Sequence, residues 1–257
     1  MNCQMEKTKR YTIYTKTVHL DTPGTLSQFL SEDERQNICA LKITGFINHK
    51  DFEDVLDDMC DAYGLYDEDD FFQIDIDSSP KLRYLDLGEC TYTETGFFPD
   101  LGTNSLLNTL IMPQGVECFD IFCQCDFPCL EKLVLPEGIS NINGIANGSK
   151  ITKIKLPDSI KTIEHYAFSD CKLLQELHIP KNVAMIQGTA FLGSNIHLII
   201  SDATEPPLII VYNYKAMIRF FFQKLKVIVP SESVEKYRNA PFWNEAHVIS
   251  GKHTKRC

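Results

Sequence analysis

Nothing in the chain comes near the ~20 consecutive apolar positions that a helix needs to cross a bilayer. The longest apolar runs, such as Leu208 to Tyr212, are strand-length. G-x-S-x-G, H-E-x-x-H, the P-loop and G-x-G-x-x-G are also absent, so the common signatures that place a nucleophile, a metal or a nucleotide have no counterpart. Cationic residues are missing between Asp51 and Asp77, where 12 acidic residues stand without one Lys or Arg. A phosphate backbone would be repelled there, and nucleic acid is not expected as a partner. The imbalance is local: residues 1–80 hold 17 acids against 7 bases, net −10, and residues 81–257 hold 18 of each. Met1 to Arg10 lack an apolar core of the kind a secretory leader carries, so no leader is expected in this sequence and a cytoplasmic location stays open beside an exterior one. The 10 cysteines show no regular pairing, which fits reduced, mostly buried thiols.

What the chain does have is one pattern written four times. Leu130-x-x-Leu133-Val-Leu135-Pro136-x-x-Ile139-x-x-Ile142 returns from Ile151 to Ile163 and from Leu174 to Ile186, and an earlier copy runs from Leu107 to Phe119. Its prolines, at 113, 136, 157 and 180, are 23, 21 and 23 residues apart, within the period of leucine-rich repeats. Alternation puts Leu133 and Leu135 on one side of a short strand and Lys132 and Val134 on the other. The proline that follows removes a ladder donor and ends the strand. The Ile-x-x-Ile spacing after it is expected to be helical or 3₁₀ and to add a second inward layer. Tyr166-Ala167-Phe168 and Thr189-Ala190-Phe191 are expected to fill the gaps between neighbouring coils. Weaker copies extend the array to Leu82-x-x-Leu85-Asp-Leu87, to Ile196-His-Leu198-Ile-Ile200, which follows Leu177-His-Ile179 by 21 residues, and to Val227-Ile-Val229, giving about six or seven coils. The expected fold is therefore α/β, a leucine-rich-repeat solenoid with short parallel strands.

A stack of coils leaves its ends bare, and the flanks carry covering segments. Residues 1–80 form the amino-terminal cap region with two helices, 81–200 the repeat array, and 201–257 a carboxy-terminal strand and helix cap. Thr25-x-x-Gln28 predicts a capping box for a helix bearing Leu26, Phe29 and Leu30. Phe52, Val55, Leu56, Met59 and Cys60 predict the inner face of a second helix, with Glu53, Asp54, Asp57, Asp58 and Asp61 outside. Ser231 is expected to cap a helix through Val234 and Tyr237, with Pro241-Phe-Trp243 sealing the last coil.

The run from Ile151 to Cys171, L-x-x-I-x-L-P-x-S-I-x-x-I-x-x-x-A-F-x-x-C, resembles the BspA-like leucine-rich repeat common in bacterial cell-surface proteins. Thr22-Pro23-Gly24-Thr25-Leu26 with Leu41 to Asn48, and Val229-Pro230 with Tyr237 to Trp243, are similar to the two ends of such proteins. The resemblance implies a right-handed solenoid, attachment to proteins or surfaces, a cell-surface or secreted location, and no shared catalytic residues. Ala146-Asn147 and Cys123-Gln124 stand where Ala-Phe is expected, which predicts irregular coils from about Val116 to Gly148.

Cys118-x4-Cys123-x-Cys125-x3-Cys129 lacks a C-x2-C pair, and alternation would scatter its sulfurs, so buried thiols are favoured over zinc. The acidic run Asp67 to Asp70 with Asp75 and Asp77 fails the EF-hand template, which meets Pro80 where glycine is needed and Asp86 where the bidentate glutamate belongs. No cofactor or metal is expected. The outward strand positions remain as the candidate site: Asp86, Ile111, Val134, Lys155, His178 and Ile199 in one row, and Lys132, Lys153, Glu176 and His197 in its neighbour. Aliphatic residues at water-facing positions mark contact surface. The expected function is non-enzymatic binding of a protein or surface-associated ligand through this face. The alternative is a metal-dependent or enzymatic accessory with its site in the acidic amino-terminal region or the Cys118–Cys129 cluster.

Overall fold

Leucines one repeat apart lie opposite one another across parallel strands, and this alignment organises the chain. The computed structural model describes residues 14–60, 65–66, 72–73, 81–99, 101, 106–119 and 127–251. The amino-terminal part holds β1 (Thr15–Leu20), α1 (Glu32–Asn37), β2 (Ala40–Ile47), and one helical segment made of α2 (His49–Asp51), a π turn (Phe52–Leu56) and α3 (Asp57–Cys60). An antiparallel pair, β3 (Leu65–Tyr66) and β4 (Phe72–Gln73), follows. The repeat region holds β5 (Tyr84–Tyr92), β6 (Phe97–Phe98), β7 (Thr109–Ile111), β8 (Cys118–Phe119) and β9 (Lys132–Val134). It continues through β10 (Asn141–Ile142), β11 (Thr162–Ile163), β12 (Glu176–Ile179), β13 (Met185–Gln187) and β14 (Leu198–Ser201). Last come β15 (Leu208–Ile210), α4 (Lys215–Gln223), β16 (Lys226–Pro230), α5 (Val234–Asn239) and β17 (His247–Gly251).

Most strands fall into front and back ladders, and a repeat such as β12–β13 contributes one strand to each. The first front ladder is β1-β2-β5-β7-β9 and the second is β12-β14-β16-β17, both wholly parallel. Leu41, Leu85, Leu110 and Leu133 pair in register and are buried, as are Leu177, Ile199, Val227 and Val248. Between the two ladders the third repeat bends at Thr152, and residues 153–157 form no strand, although Leu156 is buried and Ile154 packs on the core.

The back ladder, β10-β11-β13-β15, corrects the helical expectation for Ile-x-x-Ile. In three units the second isoleucine sits in a short parallel strand, so Ile142, Ile163 and Ile186 stack in register, continued by Ile209 of β15, and all are buried. A β-branched side chain fits this pleated surface better than a helical turn. The 3₁₀ turns come one step later, at Gly144–Ala146 and Gly188–Phe191. Rings fill the space between coils as expected, with Phe168 and Phe191 stacked at 6.2 Å and Phe191 and Phe221 at 5.4 Å. At β8 the backbone pairing is taken over by a side chain. Asn141, buried, accepts from Phe119 N at 2.8 Å and donates to Phe119 O at 3.0 Å.

At the amino-terminal end the expected inner face holds, since Phe52, Val55, Leu56, Met59 and Cys60 are all buried. The capping box expected at Thr25 does not form. Thr25 Oγ1 donates to Thr22 O, and the buried carboxylate of Asp51 accepts from the N–H groups of Gly24, Leu26 and Asn48, leaving only a 3₁₀ turn at Leu26–Gln28 with Phe29 exposed. True capping boxes occur at Ser31 with Glu34 and at Asn48 with Asp51. At the other end Ser231 caps nothing, because its hydroxyl is directed to Glu232. Trp243 and Tyr237 are fully buried there. Trp243 Nε1 donates to Pro207 O at 2.7 Å, and Tyr237 Oη lies 2.8 Å from Ser201 Oγ and donates to Ala203 O. Sequence reading missed α4, whose inward Ile218 and Phe222 are four apart on one helix face, and the terminal strand β17.

Candidate functional site

Pairing places Lys42, Asp86, Ile111 and Val134 side by side on the first front ladder, pointing away from the buried leucines. Ile111 is half-buried and Val134 is 38% exposed, which leaves an aliphatic step on a water-facing strand. Lys132 is exposed beside Thr109 and Tyr84 in the adjoining row. Asp86 is committed to its own strand, accepting from Gly88 N at 2.9 Å and from Tyr84 Oη at 3.2 Å. Burial and the Asp86 charge raise the Tyr84 phenol, keeping it a neutral donor. Lys42 and Glu89 form an ion pair that raises the lysine further. The sequence also gave no notice of Phe46, 47% exposed on β2.

Lys153 and Lys155 are exposed on the coil without a strand, Lys155 facing Glu137 at 3.8 Å. Glu176 and His178 point outward on β12, and His178 Nε2 lies 2.9 Å from Asp202. His197 is exposed just before β14.

Ile199 is the correction among the candidate residues. The repeat into β14 is 22 residues long, not 21, so Leu177 pairs with Ile199 and His178 with Ile200. A slip of one residue exchanges the two faces of a strand. Ile199 is therefore fully buried, while Leu198 and Ile200 are outward and partly exposed. Continuing the row, Ile200 pairs with Ile228 and Ile228 with Ile249, an aliphatic track that the 21-residue count concealed. The outward residues thus divide into a mixed-charge group on β5-β7-β9 and an isoleucine group on β14-β16-β17.

The alternative sites are only partly within view. Cys123 and Cys125, and the acidic run from Asp67 to Asp77, lie outside the described residues. Among the described residues no group of three or more His, Cys, Asp or Glu gathers in a way that could hold a metal ion. Cys39, Cys90, Cys129 and Cys171 are free thiols. Burial pushes Cys90 up to about 12 and raises Cys171, so neither supplies a thiolate near neutral pH. No described helix is long and apolar enough to cross a membrane.

Compared with known families, residues 102–205 match the BspA type leucine rich repeat region, in six copies. A search of curated proteins finds no match to the chain.

Proposed function

From the BspA type leucine rich repeat region that residues 102–205 form, we propose that this chain is a non-enzymatic scaffold that binds a protein through its front face. In this reading the chain winds as a right-handed solenoid, with α1 to α3 covering one end and α5 with Trp243 the other. The observation that carries it is the outward row Asp86–Ile111–Val134, held in register by hydrogen-bonded strands and left uncovered at Val134. A rigid sheet face loses little entropy on binding, which favours adhesion to a folded partner. Surface association is typical of this repeat type and supports a location at the cell exterior.

The test is pull-down from native cells with the chain carrying Lys132→Glu, Lys153→Glu, Lys155→Glu and Val134→Asp. All four positions are exposed, so thermal stability is expected to stay within error while capture of the partner is lost. Undiminished capture would rule this face out.

A further inference from the structure

Between α4 and the turn at 192–197 runs a trough of about 560 Å³, within the range of small-molecule sites. Phe191, Ile196 and Phe221 line it, and Met217 and Phe220 form a wall. These wall residues are 56% and 58% exposed, although α4 already buries Ile218 and Phe222 against the core. A surface helix needs one apolar face to fold, so the second is unexplained by packing.

Two features define what would fill the trough. The first is charge. Its lining contains Lys224 and His197 and no carboxylate. Lys224 Nζ lies 3.9 Å above the Phe220 ring centroid, and Glu245, the acid beside α4, is occupied by Arg219 at 3.1 Å and Gln223 at 3.3 Å. From Tyr212 to Lys226 the sequence carries Lys215, Arg219, Lys224 and Lys226 with no acid, in a chain of net charge −10. The second is hydrogen bonding. The N–H groups of Leu192, Ser194, Asn195 and His197 all donate within the chain, as do Ser194 Oγ and Asn195 Nδ2. A peptide backbone laid in the trough would find few partners there, whereas an alkyl chain needs none.

We propose that this trough binds an anionic amphiphile, a single alkyl chain ending in a carboxylate. The chain lies along Phe220, Phe221 and Met217, whose flexible thioether adapts to it, over a floor of buried Phe191 and Ile196, and the carboxylate meets Lys224. The site is independent of the front-face reading.

The probe is sodium decanoate, titrated below its micelle concentration into the full chain by calorimetry, with 1-decanol as the uncharged control. Decanoate is expected to bind once per chain. Met217→Glu, at an exposed position, should abolish binding of both probes with an unchanged melting temperature. Lys224→Gln should weaken decanoate about tenfold, the loss of one charge-assisted contact, and leave decanol unaffected. Absence of decanoate binding at millimolar concentration, or binding indifferent to Met217→Glu, overturns the site. Equal weakening of decanoate and decanol by Lys224→Gln overturns the place given to the carboxylate. Self-association in sedimentation that Met217→Glu removes, without decanoate binding, assigns the face to a second copy and also overturns the proposal.

Discussion

Set beside each other, the two front ladders have interchangeable interiors and dissimilar exteriors. Leu85, Leu110 and Leu133 in the first correspond to Leu177, Ile199 and Val227 in the second, all buried and all in register. Outside, the first presents Lys42, Asp86, Ile111 and Val134, whereas the second presents His178, Ile200, Ile228 and Ile249. Interior positions are fixed by close packing, which any change of volume disturbs. Exterior positions are free to diverge, so two stretches with one core grammar can serve different contacts. The ends differ as well. A carboxylate and an ion pair tie down the amino-terminal end, through Asp51 and through Lys16 with Glu34, while neutral Tyr237 and Trp243 close the other.

The sharpest way to break this comparison is at β14, where inside and outside exchange within one residue. Ile199→Ala should cost about 3 kcal/mol by leaving a cavity, and Ile200→Ala less than about 1 kcal/mol. Urea denaturation of the two variants checks it, and the opposite order would restore the 21-residue register.

The contrast between the ends predicts that Asp51→Ala destabilises by about 2 kcal/mol, because buried N–H groups lose their acceptor. Hydrogen exchange should localise that loss to β1 and β2 and spare β16 and β17.

The smallest effect is one of pH. Glu34 is lowered to about 2 by the hydrogen bond from Lys16, with help from the Ser31 backbone. A depressed carboxylate adds stability above its ordinary value of 4.5 and surrenders it as pH falls toward about 2. The difference in stability between the chain and its Glu34→Gln variant should therefore shrink over that interval, as followed by denaturation at a series of pH values.

Much of the fold was legible because period and burial are coupled. A leucine that recurs with the proline had to face inward, and Leu110, Leu133 and Leu177 do. The amphipathic stretch from Phe52 to Cys60 was readable for the same reason. What escaped was set by distant groups or by counting. Thr25 loses its cap to Asp51, 26 positions away, which no local motif announces. Ile199 was misplaced because both Ile199 and Ile200 are aliphatic, and composition cannot choose between two registers of an Ile-Ile pair. The isoleucine track and the trough beside α4 were invisible for a related reason, since apolar residues outside the core resemble those inside it until pairing is known.

Residues 153–157 leave the front without a strand at a height where the back remains stitched, Ile142 to Ile163 to Ile186. The charged row and the isoleucine track therefore sit on separate sheets, joined at this level by the back-strand pairing and by Ile154 and Leu156 against the core.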